Sequence, residues 1–308
     1  MTDRTGLVSV VVATNRASPY LAEALRSVAE QTYSDWELVI VDNGVPDPVA
    51  LAELVAQLPR SRVFHVPPPV TVSLARNAGV AVSEGAFVVF LDDDDVWHPE
   101  RLQTQVALLR DAPDAPASYC GGWHMDAASR RIPPSWPASV STAQDMLAGR
   151  ARMPHICGAL LIRRESFAQV GGFSPELSMM EDFELMLRLL QRGDLVCAPG
   201  ELVGYRRHDR NATSTSLSNL RVRRDAIDGI LARHAWAARI RGDAQSAALL
   251  DSHRAFERRR AAREASRATL WAARRLRLAD ALTEATWGLR HDAAGYAGEF
   301  VRRLARRR

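Results

Sequence analysis

Four short runs rich in β-branched residues, each followed by a helix-like stretch, decide most of what this chain can become. They are "VSVVVA" at 8–13, "ELVIV" at 37–41, the run at 63–66 and "FVVFL" at 87–91. Their nearly continuous apolar character fits strands covered on both faces, as in a parallel sheet. Helical patterns fill the gaps at 19–31, 47–57 and 71–83 and follow the last run at 99–110. The alternation predicts an open α/β sheet, and such sheets bind ligands beyond the carboxyl ends of their strands. That rule singles out Thr14 and Asn15 after the first strand, Asp42 and Asn43 after the second, and Asp92, Asp93, Asp94 and Asp95 after the fourth.

The fourth strand runs straight into four consecutive carboxylates, "FVVFLDDDDVWHP". Neighbouring like charges repel, and a hard divalent cation held by oxygen ligands would cancel that repulsion; a solvated acidic turn is the plainer alternative. Two nucleotide-binding classes are excluded. "ATNRASPY" after the first strand has no glycine, so neither a dinucleotide-binding turn nor a P-loop is present, and the chain contains no lysine. A phosphohydrolase of the haloacid dehalogenase type shares an apolar strand followed by Asp-x-Asp-x-Val, here Asp92, Asp94 and Val96. That type carries the motif on its first strand and uses a downstream lysine, and this chain has neither.

After residue 115 the pattern loosens. Strands are expected at "ASYCGGWHM", "CGALLIRR" and 201–206, a helix at 180–192, and a proline-rich connection around 133–137. From 217 onward the chain is rich in Ala and Arg and reads as helical. Residues 254–308 carry fifteen Arg against six acids, a net +9, which leaves −5 for residues 1–253. The two parts therefore have different work to do. Trp271, Leu278, Leu282 and Leu289 recur at spacings of seven, four and seven, which predicts one apolar helix face. Such a region suits packing on the catalytic domain, pairing with a second copy or lying on an anionic membrane surface, with nucleic acid the least favoured; Glu257, Glu264, Asp280 and Glu284 among the arginines favour packing over a simple polybasic anchor. Cys120, Cys157 and Cys197 have no metal or disulfide spacing. Without an apolar run long enough to span a bilayer or a leader pattern, the expected location is cytoplasmic, peripheral at the inner membrane face if the tail docks there.

Four ordered segments carry a resemblance: "SVVVATNRASPYLAEALRSVAEQTYSDWELVIVDNG", "SLARNAGVAVSEGAFVVFLDDDDVWHPERL", "VGGFSPELSMMEDFELMLRLLQRG" and "YRRHDRNATS". Together, over about residues 7–216, they resemble the family 2 glycosyltransferases. The resemblance implies a GT-A fold, a Rossmann-like open mixed sheet flanked by helices, with the C-terminal helices as an extension. Residues 1–216 would be the catalytic domain, with a nucleotide-sugar half at 1–114 and an acceptor and base half at 115–216; residues 217–308 would be a separate Arg-rich helical region. It also implies an inverting, metal-dependent transfer from a nucleotide-sugar donor, a UDP- or dTDP-sugar with Mg or Mn. The acceptor is left open among a glycan, a lipid-linked sugar, a natural product and a peptide, and a member that binds nucleotide-sugars without catalysis is a further alternative.

The resemblance also implies roles residue by residue. Thr14, Asn15, Asp42, Arg76, Asn77 and Asp92 would face the nucleotide and its ribose. Asp94 would bind the metal, as the third position of an Asp-x-Asp motif, and His208 would lie at the diphosphate and metal. Asp93, at the variable position, is counted with the donor side although its side chain is expected to point elsewhere, and Asp95 is expected to support the loop or cap the next helix. Asp182 would be the base that deprotonates the acceptor, with Glu181 beside it; Trp123, His124 and His155 are acceptor-side candidates.

Overall fold

The first two strands, β1 (Val8–Thr14) and β2 (Trp36–Asp42), are buried along almost their whole length and run parallel, with Val8 beside Trp36 and Thr14 beside Asp42. They belong to a computed structural model that describes residues 5–305 except 17, 155–156 and 209–216. The chain forms two compact units, one of Met1–Met146 with Arg152–Asn211 and one of Leu147–Ala151 with Ala212–Arg308.

In the first unit β3 (Ser61–His65) continues the parallel sheet beyond β2, and β4 (Phe87–Phe90) lies on the other side of β1. The strand order is β3-β2-β1-β4-β8-β6-β9-β5, with β7 paired to β6. β8 (Leu160–Arg163) is antiparallel to both β4 and β6 (Ala117–Met125), β9 (Val196–Arg206) is parallel to β6, and β5 (Val96–Trp97) is antiparallel to β9. The sheet is therefore mixed. Strand order reverses between β1 and β4, so a crevice opens where these two strands end, at Thr14 and just before Asp92.

Local chemistry explains the helices against this sheet. α1 (Pro19–Ala29) starts with Pro at its first position and Ser18 accepting a hydrogen bond from the Leu21 amide, and it buries Leu21, Ala24, Leu25 and Val28. After α2 (Pro48–Ala56) comes α3 (Val72–Ala81), which rests directly on the sheet. A β-carbon at Gly79 would lie 2.5 Å from Val11 Cγ1, so only glycine permits that approach. α4 (Arg101–Asp111) begins later than its pattern suggests because the chain first makes β5. β7 (Arg131–Trp136) crosses the proline-rich stretch. Among the described residues it pairs only with β6, and an edge strand tolerates residues that cannot donate to a ladder. The unit is completed by α5 (Ala143–Leu147), which ends at its boundary, α6 (Arg164–Gln169) and α7 (Glu181–Leu190).

The second unit consists of α8 (Leu217–Ile240), α9 (Ala244–Arg274) and α10 (Leu278–Ala305), the last kinked at Asp292. The apolar stripe expected from Trp271, Leu278, Leu282 and Leu289 is not one face of one helix. The chain turns between α9 and α10, with Leu276 at φ 56°, and the four residues are exposed at 41%, 70%, 68% and 53%. Small residues take the inside instead: Ala261, Ala262, Ala265, Ala272 and Ala281 are buried and let the helices approach closely. Asp228, flanked by Arg254 and Arg258, ties α8 to α9; burial works against its charge, but the two guanidiniums hold its carboxyl well below the usual range.

Candidate active site

The acid turn is built from below by a fully buried arginine. Arg206, at the end of β9, donates from its amide to Asp95 Oδ1 at 2.9 Å, from Nε to the Asp94 carbonyl at 2.7 Å and from Nη2 to Glu23 Oε2 at 2.6 Å. Its guanidinium stacks on Tyr20, 4.4 Å from the ring centroid. Asp95 is thus a buried partner of β9, and the helix α4 is not capped by it. Burial, reinforced by the charges of Asp92 and Asp94, pushes the Asp95 carboxyl well above the usual range.

The same turn is tied to the end of β1. Thr14 Oγ1 donates to Asp93 Oδ2 at 2.6 Å, and Arg16 Nη2 lies 2.8 Å from Asp93 Oδ1 and 2.9 Å from Asp94 Oδ2. Asp93 therefore does not point away, as its variable position implied; it locks two strand ends together. Asn15 beside it is exposed. The sequence signal for Arg16 is an arginine two residues past the end of β1, a position that faces the acid run.

Asp94 Oδ2 also lies 2.9 Å from His208 Nε2, and the His208 ring stacks on Tyr20 at 5.2 Å. Burial first, and then the Asp92 charge, raise the Asp94 carboxyl above its ordinary value, although His208 and Arg16 oppose the shift. A cation would relieve that tension; the carboxylate oxygen of Asp94 suits Mg or Mn, and the imidazole nitrogen of His208 is compatible with Mn. Among the described residues no three His, Cys, Asp or Glu side chains converge on one point. A metal here would hold Asp94 and His208 and take its remaining ligands from phosphate oxygens and water, and on these terms the residues fit the group.

Asp92 connects this turn to α7. The Arg76 guanidinium, only 7% exposed, donates from Nη2 to Asp92 Oδ1 at 2.6 Å and from Nη1 to Glu181 Oε1 at 2.8 Å. Glu181 is thereby committed to an ion pair. Asp182, next to it in the first turn of α7, receives the Phe183 amide at 2.7 Å. It is half-buried. That burial, with repulsion from Glu181, raises its carboxyl from 3.8 to about 6. The residue before this turn, Met180, has φ 64°, a left-handed conformation costly for a side chain with a β-carbon.

The remaining expected residues are placed otherwise. Asp42 works against the cost of burial by accepting the Val45 and Gly44 amides and pairing with His65 Nδ1 at 2.8 Å, which together hold its carboxyl low. Asn77 uses both ends of its amide on the Phe173 backbone, at 2.8 and 2.9 Å, and so pins the "GGF" loop beneath α7. His124 is buried between Trp136 and Tyr205, with Arg207 at 3.0 Å. Trp123 is half-buried beneath the Arg131 guanidinium, 5.5 Å from its ring centroid. His155 lies outside the described residues.

With this geometry in hand, residues 9–171 match the sequence model of glycosyl transferase family 2. The chain belongs to that family. It is 30% identical over 219 residues to the O-antigen biosynthesis protein RfbC of Myxococcus xanthus, covering 70% of this chain and 16% of that one. It is 26% identical over 220 residues to the putative teichuronic acid biosynthesis glycosyltransferase TuaG of Bacillus subtilis strain 168, covering 70% of this chain and 84% of the relative. The chain spans 20%, 16% and 62% of the length of three curated relatives that it matches. In fold it resembles residues 1–349 of S. aureus TarS in complex with UDP-GlcNAc, with a TM-score of 0.57 at 18% identity over 91% of this chain and 90% of that one. A glycosyl transferase family 2 domain with helices following it is thus the fold of this chain.

Proposed function

We propose that this family member transfers a sugar, with inversion at the anomeric carbon, from a nucleoside-diphosphate donor to an acceptor hydroxyl or similar nucleophile, with Asp182 as the base. The observation that carries the reading is the chain Asp92–Arg76–Glu181, which sets the first turn of α7 against the acid turn after β4 and leaves the neighbouring Asp182 carboxylate with a pKa of about 6. A base of that strength is largely deprotonated at neutral pH yet still able to take a proton from an acceptor. Among the described residues Glu181, the carboxylate beside Asp182, is held by Arg76, which supports a single displacement with one base. TarS holds UDP-GlcNAc, which supports a UDP-sugar as donor, and relatives named for O-antigen and teichuronic acid biosynthesis support a glycan acceptor.

Asp94 and His208 would hold Mg or Mn, which when bound supplies positive charge against the departing diphosphate. Arg16 is placed to share that work, since its guanidinium already bridges Asp93 and Asp94. Thr14 fixes the floor on which the phosphates would rest. The reading is tested by melting the protein with UDP-GlcNAc and related nucleotide-sugars plus Mn and by following UDP release; a chain indifferent to every nucleotide-sugar would sink it. Asp94→Ala should weaken Mn-dependent donor binding by at least roughly tenfold, as expected for the loss of one ligand from a two-ligand site. Unchanged Mn dependence would remove Asp94 from the metal.

Transfer should also rise with pH through about 6 and level off above it, because only deprotonated Asp182 accepts a proton. A flat profile across that window would count against it. Stability runs the other way. The folded state holds this proton more tightly than the unfolded chain, so the contribution of Asp182 is full below about pH 4 and is lost as pH rises through about 6.

A further inference from the structure

The helical unit buries Ile227, Ile230, Leu231, Leu250 and Tyr296 beside its alanines, yet it leaves a group of large apolar side chains exposed where α9 meets α10. Leu276, Leu278 and Leu282 are exposed at 84%, 70% and 68%. Next to them opens a cleft of about 950 Å³, lined by α8, α9 and α10 and by the turn. Five arginines, Arg221, Arg267, Arg274, Arg277 and Arg303, and two acids, Glu264 and Asp280, line it; Arg221 and Arg277 pair with Asp280, and Arg267 and Arg303 with Glu299, so among the described residues the free positive charge is at Arg274 and the neighbouring Arg275. Among the described residues the Arg274 guanidinium has no hydrogen-bond or ion-pair partner. Trp271 stands in the cleft wall with Arg275 at 4.2 Å and Arg277 at 5.5 Å over its ring. The combination is a set of exposed leucines at a tip, ringed by guanidiniums that outnumber the acids, with an aromatic ring of the kind that settles at a headgroup boundary.

We propose that this turn and cleft form a docking site for an anionic glycerophospholipid bilayer. The leucines enter the acyl boundary while Arg274 and Arg275 engage lipid phosphates, joined by Arg277 from its half-exposed pair with Asp280. Charge complementarity selects this occupant. A second copy pairing through the same face would set one arginine-lined cleft against another, and nucleic acid would leave the exposed leucines unrewarded. Each arginine near an anionic surface strengthens attachment roughly fivefold. The inference does not rest on sugar transfer, because docking is measured without donor or acceptor.

The test is co-sedimentation of the whole chain with phosphatidylcholine vesicles and with phosphatidylcholine vesicles that contain phosphatidylglycerol. The protein should sediment with the anionic vesicles, be released by high salt and stay largely free of the neutral ones. The triple variant Arg274→Gln/Arg275→Gln/Arg277→Gln should bind the anionic vesicles about a hundredfold more weakly. Leu276→Ser/Leu278→Ser should weaken binding without altering its salt dependence, with both variants melting like the parent. Equal binding to the two vesicle types, or variants that bind as the parent does, would overturn the proposal. So would displacement by free glycerol 3-phosphate, tighter retention on DNA than on vesicles, or a concentration-dependent dimer that the triple variant abolishes.

Discussion

Asp182→Asn should lower transfer by about 10²- to 10⁴-fold, the usual contribution of a positioned general base, while leaving donor binding intact. The substitution is nearly isosteric, and an amide oxygen still accepts the Phe183 N–H that the carboxylate accepts at 2.7 Å. The first turn of α7 should therefore keep its shape. Asn also removes a charge from a site where burial and Glu181 already oppose it, so the melting temperature near neutral pH should stay level or rise. Glu181 cannot stand in as base because Arg76 occupies its carboxylate. Rate and affinity are separated by measuring UDP release at saturating donor and donor-induced melting shifts side by side. Equal loss of both, or retained transfer, would mean that Asp182 is not the base.

The parts of this chain that were legible in advance share a physical property: their signal is local. β1 and β2 are buried on both faces, so nearly every residue in them is apolar, and "ASYCGGWHM" is the whole of β6. β5 is too short for any periodicity, and the two prolines of β7 read as a break because nothing local says that the strand will lie at an edge. The C-terminal stripe misled because spacing locates large apolar residues without saying which side they take. In α9 and α10 close helix approach favours alanine inside, and Trp271 and the leucines are left outside. At the site, the acid run and the Glu181–Asp182 pair stood out as residue types, and the resemblance supplied their roles. What joins them could not be read from spacing: Arg76 meets residues 16 and 105 positions away, and Arg206 meets Glu23 183 positions away. Buried arginine partners of this kind depend on the finished fold.

Arg76→Met is expected to be the most damaging single change in the first unit. The native guanidinium is bidentate in effect, one arm on Asp92 at 2.6 Å and the other on Glu181 at 2.8 Å, with its carbon 5.3 Å from the Phe173 ring centroid. Removing it leaves Asp92, Glu181 and Asp182 near one another with their shared counter-charge gone. Breaking a buried pair from one side costs about 3–5 kcal/mol because the orphaned charge stays behind. For a unit of this size that corresponds to a fall in melting temperature of roughly 10 °C. Arg76→Lys should recover part of the loss, since an ammonium keeps the charge but not a planar fork able to reach both carboxylates. The pH dependence separates this account from loss of packing. Arg76 holds the Asp182 carboxyl down against burial and Glu181, so the variant should raise it further, move the acid limb of transfer to higher pH and regain stability as pH falls and the carboxylates take up protons. A stability deficit unchanged between neutral pH and about pH 5 would assign Arg76 to packing on Phe173 instead.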